Sequence, residues 1–202
     1  VLLETFVGMD ELEFRTYKYD KSMKQDLISF CEECESSGLY NNSNFQKLKI
    51  GKWGEYEQWF VVYHKDKIIS MSGAHRLTHM GEHTYNVLYR LATLPEFRTH
   101  AHPHITRRFA HDFGFGRMLP FAVEWALSKG AETIVASVNS PDEIKDNTSS
   151  GKFYEACRKY LLSDRGPKGW FELLERDYEL YGTKQDIWKL NIKNVRTGEL
   201  IK

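Results

Sequence analysis

The chain has 202 residues, 41% hydrophobic and 14% aromatic, enough to bury a core without disulfides or metals. Its 28 Lys and Arg balance 28 Asp and Glu, so it has no global positive field for nucleic acid and no nucleic-acid partner is expected. No apolar run approaches the roughly 18–20 residues of a membrane span, so no membrane role is expected.

No repeat and no Pro/Gly/Ser-rich linker divides the chain, which reads as one domain over residues 1–202. The apolar start Val1–Gly8 lacks a basic leader and a cleavage site and does not read as a signal peptide. Leu12 to Tyr19 alternates as a first strand. Ser22, with Gln25 at the box position, is expected to cap a helix through Leu27, Ile28, Phe30 and Cys31 that Gly38 ends. Asn41–Asn44 reads as a turn, with a short helix up to Leu48. Trp59–His64 and Ile68–Leu77 flank the polar turn Lys65-Asp66-Lys67 as an antiparallel hairpin. Tyr85–Thr93 is a third strand of this group, ending near Leu94 because Pro95 cannot donate to a ladder.

From Glu96 to Arg117 the pattern breaks into a polar, His- and Arg-rich stretch. Leu119, Ala122, Val123, Ala126 and Leu127 then have helical spacing up to Lys129. Pro120 fits only near a first turn, which predicts a start close to Arg117, and Gly130 is a C-terminal signal. Thr133–Val138 is a buried strand, Asn139–Asp142 a turn, and Ser149–Leu161 a helix. Trp170–Leu180 fits strand and helix equally, Ile187–Ile192 is a late strand, and Thr197–Glu199 is a terminal turn. The order predicts an α/β (α+β) fold with a mixed, mostly antiparallel central sheet flanked by helices.

The three Cys, Cys31, Cys34 and Cys157, are too few and too scattered for a disulfide-built secreted domain and favour a reducing cytoplasm. Cys31-x-x-Cys34 has redox or metal spacing, but no second pair accompanies it and two thiols on one helical face explain it more simply. The chemistry is concentrated between Leu91 and Tyr160. A strand ends, a loop with Gly114, Gly116 and the basic Arg98, Arg107, Arg108 and Arg117 follows, and a helix begins. Backbone N–H groups at such a helix start, together with its dipole, suit a phosphate. A P-loop is excluded because no G-x-x-x-x-G-K-[ST] occurs. A Rossmann site is excluded by an incomplete G-x-G-x-x-G.

The ordered set Leu94-Pro95-Glu96-Phe97-Arg98, Gly114-Phe115-Gly116-Arg117, Val123-Glu124-Trp125-Ala126, Lys129-Gly130-Ala131, Ile134–Asn139 and Lys152-Phe153-Tyr154-Glu155-Ala156 resembles the GCN5-related N-acetyltransferase (GNAT) superfamily, best over about residues 58–162. The resemblance implies acetyl-CoA or another acyl-CoA as cosubstrate and a small-molecule or peptide amine as acceptor. It implies that Leu91, Ala92 and Thr93 pair with the pantetheine arm. Arg98, Gly114, Gly116 and Arg117 would hold the pyrophosphate, and Asn139 would fix the pantetheine. Tyr154 would protonate the leaving thiolate, a role suited to a phenol. The chain departs from the family in the stretch Thr99–Phe113, which separates Arg98 from Gly114. Either this is an insertion before a Gly114–Arg117 loop, or Arg98–Arg108 forms a loop without glycines and an earlier helix is kinked at Pro120.

All eight His lie between His64 and His111. His100, His102 and His104 share one side of an extended segment, a pattern that suits zinc, copper or nickel, but a polar insertion explains it better and no metal is assigned. A base that takes the acceptor's proton can be His75, His79, His83, Tyr89 or Glu96; His75, on the central strand pair, and Glu96 are carried as the candidates. Trp53, Tyr56, Trp59 and Phe60 either line an acceptor pocket or pack the core. Three readings follow: an acyl-CoA-dependent N-acyltransferase first, then a GNAT-like binding module that has lost CoA, and last a His-rich metal-binding protein. A dimer is compatible with each.

Overall fold

The computed structural model describes residues 14–37, 45–97, 115–140 and 171–192. Their strands form one seven-stranded sheet in the order β1-β2-β3-β4-β5-β7-β6. These are β1 (Phe14–Lys18), β2 (Glu57–His64), β3 (Lys67–Arg76), β4 (Thr84–Thr93), β5 (Thr133–Asn139), β6 (Phe171–Leu180) and β7 (Thr183–Leu190). Every neighbouring pair is antiparallel except β4 and β5, which are parallel. The helices are α1 (Lys24–Ser36), the single turn α2 (Phe45–Leu48) and α3 (Phe115–Ser128). The mostly antiparallel mixed sheet expected from the sequence is present.

Strand β3 is buried along nearly its whole length, as a strand covered on both faces must be. Tyr63 Oη donates to Asp26 Oδ2 of α1 at 2.6 Å, while the neighbouring His64 stacks on Phe14, beneath the Arg117 guanidinium of α3. Adjacent strand residues point to opposite faces, so α1 and α3 cover opposite sides of the sheet.

The start of α1 differs from expectation. Asp20, not Ser22, is the capping side chain: its Oδ1 accepts from Ser22 N at 2.7 Å and leads a 3₁₀ turn, Lys21–Met23, into the helix. Aspartate is as good an N-cap as serine. The predicted end at Gly38 and the Asn41–Asn44 turn lie outside the described residues, whereas the short helix up to Leu48 is present.

Helix α3 contains Pro120 beyond a first turn counted from Phe115. With no N–H, Pro120 leaves the Gly116 carbonyl out of the helical ladder. The C-terminus is as expected. Gly130 has φ +85, Ala131 N donates to Ala126 O at 3.0 Å and Gly130 N to Leu127 O at 3.0 Å, the two bonds of a Schellman motif.

The ambiguous stretch after Trp170 is strand: β6 turns through Tyr181-Gly182 into β7. Strand β7 begins at Thr183, earlier than the alternation from Ile187 suggested. It inserts between β5 and β6, so this hairpin completes the sheet within the chain. Strand β6 is an edge, largely exposed, broken by two register shifts and rich in Glu, features that discourage pairing with another sheet edge.

Gly73 on β3 is where two rings close over the backbone. A Cβ there would lie 3.1 Å from Trp59 and 3.1 Å from Tyr89. Gly73→Ala is therefore expected to lower stability by about 1–3 kcal/mol through overpacking. Urea melts check this as a lower midpoint at unchanged slope.

Candidate functional site

The parallel pair β4 and β5 is laddered only over Thr84–Asn86 against Thr133–Val135. Beyond that, a side chain replaces the backbone. Asn86 Oδ1 accepts from Leu88 N at 3.0 Å and from Ser137 N at 3.3 Å. Ser137 Oγ receives Asn86 Nδ2 at 2.8 Å and donates to Leu88 O at 3.3 Å. With the ladder's donors taken by an amide side chain, the strands part without leaving those two N–H groups unpaired. Strand β4 is bent as well. Tyr89 to Asn86 takes three steps where Gly73 to His75 takes two, and the same mismatch recurs between Ala92–Tyr89 and Met71–Gly73. Arg90, with φ +52, lies in the second of these bulges, which turn a strand.

The wide end of this fork lies at the C-terminal ends of β4 and β5. Helix α3 connects the two strands and runs back along them. Its last turn meets β4's start, with Tyr85 Oη donating to Lys129 O at 3.4 Å. Its first turn lies near β4's end, where Arg117 sits over the Phe14 ring at 5.0 Å and Phe14 meets Phe97 at 6.0 Å. Crevices at the carboxyl ends of parallel strands are common ligand sites.

On the face opposite α3, the fork meets an aromatic cluster. Trp53 stacks on His75 with centroids 3.9 Å apart and planes within 4°. Tyr89 meets the edges of both, and Tyr181 lies 4.8 Å from Tyr89. Glu57 sets Trp53 in place: Oε1 accepts from Gly51 N at 2.6 Å and Trp59 Nε1 at 2.7 Å, and Oε2 accepts from Trp53 N at 3.0 Å. His75 is 2% exposed. Its Nδ1 lies 2.8 Å from Arg76 O, and its Nε2 is hydrogen-bonded to Tyr181 Oη. Burial pushes its pKa down to about 4, opposed by the bond to Arg76 and the nearby Glu57 charge. Burial also pushes the Tyr181 phenol above its usual range.

These contacts sort the residues expected from sequence. His75 and Tyr89 come together. His79 and His83 are exposed at the far end of β3 and β4, and Glu96 is exposed in the 3₁₀ turn Pro95–Phe97. Leu91 and Thr93 are half-buried and Ala92 is buried on β4, with Ala92 O and Thr93 Oγ1 bonded to Ser70 Oγ at 2.9 and 2.7 Å. Gly116 and Arg117 lie in α3 rather than in a preceding loop. Asn139 ends β5, and its Oδ1 accepts from Gln185 Nε2 at 2.5 Å. Trp59 and Phe60 are core residues, and Tyr56 lies under the Arg76 guanidinium at 3.6 Å. Cys31 and Cys34 are both buried, and burial lifts the Cys31 thiol to about 12, which suits packing rather than redox chemistry. Arg98, Gly114, Tyr154 and the His-rich stretch 99–113 lie outside the described residues.

The sequence reading missed Asn86 and Tyr181. Asn86 stands between Tyr85 and the apolar pair Val87-Leu88, a local signal of a special role. Of the turn Tyr181-Gly182 only the glycine is a hairpin signal, and the ambiguity of Trp170–Leu180 concealed the strand before it.

No sequence-family model matches the chain, and no curated protein matches it by sequence. Its backbone is nevertheless similar to solved acetyltransferases. An acetyltransferase of the GNAT family from Staphylococcus aureus Mu50 matches with a TM-score of 0.53 at 12% identity, covering 89% of this chain and 99% of that one. The chain has the GNAT fold. An acetyltransferase from Streptococcus agalactiae 2603 matches at TM-score 0.52 and 12% identity, over 88% of this chain and 98% of that one. An aminoglycoside 6'-acetyltransferase type Ii matches at TM-score 0.51 and 13% identity, over 88% and 96%. Among the described residues of this GNAT fold, no helix is long and apolar enough to cross a membrane, and no group of three or more His, Cys, Asp and Glu could hold a metal ion.

His75 also gives the protein a pH dependence. Its folded pKa, about 4, is below the ordinary 6.5, so the unfolded chain binds the proton more tightly. Its contribution is complete above about pH 6.5 and is lost as pH falls toward 4, on the order of 3 kcal/mol in all. His75→Gln is expected to flatten the fall in stability between pH 7 and 4.5 in urea melts. Parallel wild-type and variant curves would remove His75 as its source.

Proposed function

We propose that the chain, as one domain, is an acyl-CoA-dependent N-acyltransferase that moves an acetyl or related acyl group from the CoA thioester to an amine by direct attack. The observation that carries this reading is the β4–β5 fork held by Asn86. An extended pantetheine arm carries amides and can pair with a strand edge whose ladder has ended, and Leu91, Ala92 and Thr93 of β4 lie along that edge past the last β5 pairing. The N-terminal side of α3, with Gly116 and Arg117, lies toward the same end, where the helix dipole favours an anion such as the pyrophosphate. Arg98 and Gly114 would join it from the loop before α3, and Asn139 would fix the pantetheine from β5.

The chain's own contribution is mainly positioning. Holding a thioester and an amine together in an oriented pair supplies much of the barrier reduction. Backbone N–H groups of β4 aimed at the thioester oxygen would stabilise its developing charge. Tyr154 would give its proton to the leaving thiolate. The acceptor would approach from the aromatic face, where His75 and Tyr89 lie, while CoA approaches from the α3 side. Glu96, exposed and beyond β4, is the weaker of the two proposed bases.

The first test is thermal melting with acetyl-CoA. Ligand at about 100 times its Kd adds roughly 2.7 kcal/mol, an expected rise of about 5–10 °C for a chain this size. No rise with acetyl-CoA, CoA or longer acyl-CoAs at millimolar concentration would favour the binding module without CoA. Tyr154→Phe is expected to keep that rise and lower turnover about 100-fold. Equal loss of binding and turnover would count against Tyr154 as the acid.

A further inference from the structure

Tyr181 sits at the tip of the β6–β7 hairpin with φ +57, followed by Gly182 at φ +77. Both central residues of a two-residue turn are therefore left-handed. Asn, Asp and Gly suit such a position, whereas a bulky side chain there is disfavoured by about 1–2 kcal/mol. The tip is 37% exposed, yet its hydroxyl reaches into the fork to Asn86 Nδ2 at 2.8 Å and to His75. A strained turn residue whose polar end is buried at a strand split points to a role beyond closing the hairpin.

The direction of each hydrogen bond around Tyr181 follows from its partners. The Arg76 carbonyl only accepts, so His75 Nδ1 carries the hydrogen. A neutral imidazole has one N–H, so Nε2 accepts and the Tyr181 hydroxyl donates to it. Asn86 Oδ1 takes two backbone N–H groups, so its Nδ2 donates to Tyr181. The phenol thus directs its only hydrogen toward His75, and its oxygen acts as an acceptor at the fork.

We propose that Tyr181 is a catalytic residue of the acyl transfer, its oxygen accepting an N–H of the acceptor amine and relaying the proton to His75 after attack. The inference rests on the acyltransferase reading. The amine lone pair forms the C–N bond as the thioester π pair moves to oxygen. The nitrogen, now positively charged and far more acidic, gives its proton to Tyr181 Oη while the phenol's own proton passes to His75 Nε2. As the carbonyl re-forms, the C–S bond breaks and its electron pair leaves on sulfur. Tyr154 protonates that sulfur and regains a proton from water, and His75 returns its proton through Tyr181 to water. His75 is a positioning residue, holding Tyr181 as an acceptor in the ground state.

Charges of both signs surround the pair. Lys52 lies over Trp53 at 4.7 Å, and Arg90 donates to Tyr89 Oη at 2.9 Å beside Tyr181. Glu57, the carboxylate whose charge reaches His75, has both oxygens engaged by N–H donors. Attack needs a free lone pair on nitrogen, so the reacting amine is the uncharged form. A weakly basic amine is then the favoured class at neutral pH.

The test uses the full chain, acetyl-CoA and a panel of primary amines from aniline to benzylamine, with thiol release as the readout. Tyr181→Phe is expected to keep the acetyl-CoA melting shift and its KM for acetyl-CoA while kcat falls about 100-fold. His75→Gln keeps an oxygen acceptor for the phenol but takes up no proton, and kcat should fall about tenfold. In wild type, kcat/KM for benzylamine should rise with pH toward the amine's own pKa, with no enzyme inflection between pH 6 and 7. Nitrogen-15 NMR of labelled histidines, assigned by the His75→Gln spectrum, should show His75 protonated on Nδ1. Wild-type turnover with an unaffected Tyr181→Phe, an inflection near 6.5 lost in His75→Gln, or protonation on Nε2 overturns the inference and leaves acyl transfer standing. A wild type that shows no acetyl-CoA shift, or that acylates no amine of the panel, overturns both.

Discussion

Much of the candidate site depends on one side-chain amide standing in for a peptide group. Asn86 takes the Leu88 and Ser137 N–H groups that a continued β4–β5 ladder would have used, and gives its own N–H₂ to Ser137 and Tyr181. Two parallel strands cannot simply diverge inside a protein, because each orphaned backbone group would be desolvated without a partner. The fork is possible because its apex is chemically closed. Strand β4 then bends through its bulges while keeping its antiparallel partner β3 on the other side.

The same residue links the fork to the aromatic face. Through Tyr181 and His75 the network reaches the Arg76 carbonyl on β3, and through the His75–Trp53 stack it reaches the loop organised by Glu57. Each member has its donor and acceptor roles assigned by a neighbour that can play only one part. Low dielectric strengthens such a satisfied chain and makes a break in it costly. Burial also explains why His75, the obvious titrating group by residue type, stays neutral well below the pH at which an exposed histidine would ionise.

The fold was legible where the local pattern is strong. The β2–β3 hairpin, β4 up to Pro95 and the Gly130 helix end follow from alternation, a prohibited donor and a residue free to adopt positive φ. The cap of α1 was misassigned because Asp20 and Ser22 are both good caps two residues apart, and only backbone geometry distinguishes them. The β6–β7 hairpin was unreadable in its first half because Phe171–Leu180 mixes Leu and Glu without a clean period, being an exposed, bulged edge. For the site, residue type and a place on the central strand pair favoured His75 over His79 and His83, but neither showed which of the three is buried. Only the sheet register buries the first and leaves the other two exposed.

By itself the sequence determined the balanced charge, the element types over its periodic stretches, and an ordered set of short motifs similar to one superfamily. These are local properties, carried by residues within a few positions of one another. Tertiary structure alone decided that Tyr181 meets His75 and Asn86, residues about a hundred positions earlier. That meeting requires β7 to insert beside β5, so that the hairpin tip reaches the end of the fork. Such contacts are set by strand order and register, which depend on how the whole sheet buries its faces and satisfies its edges.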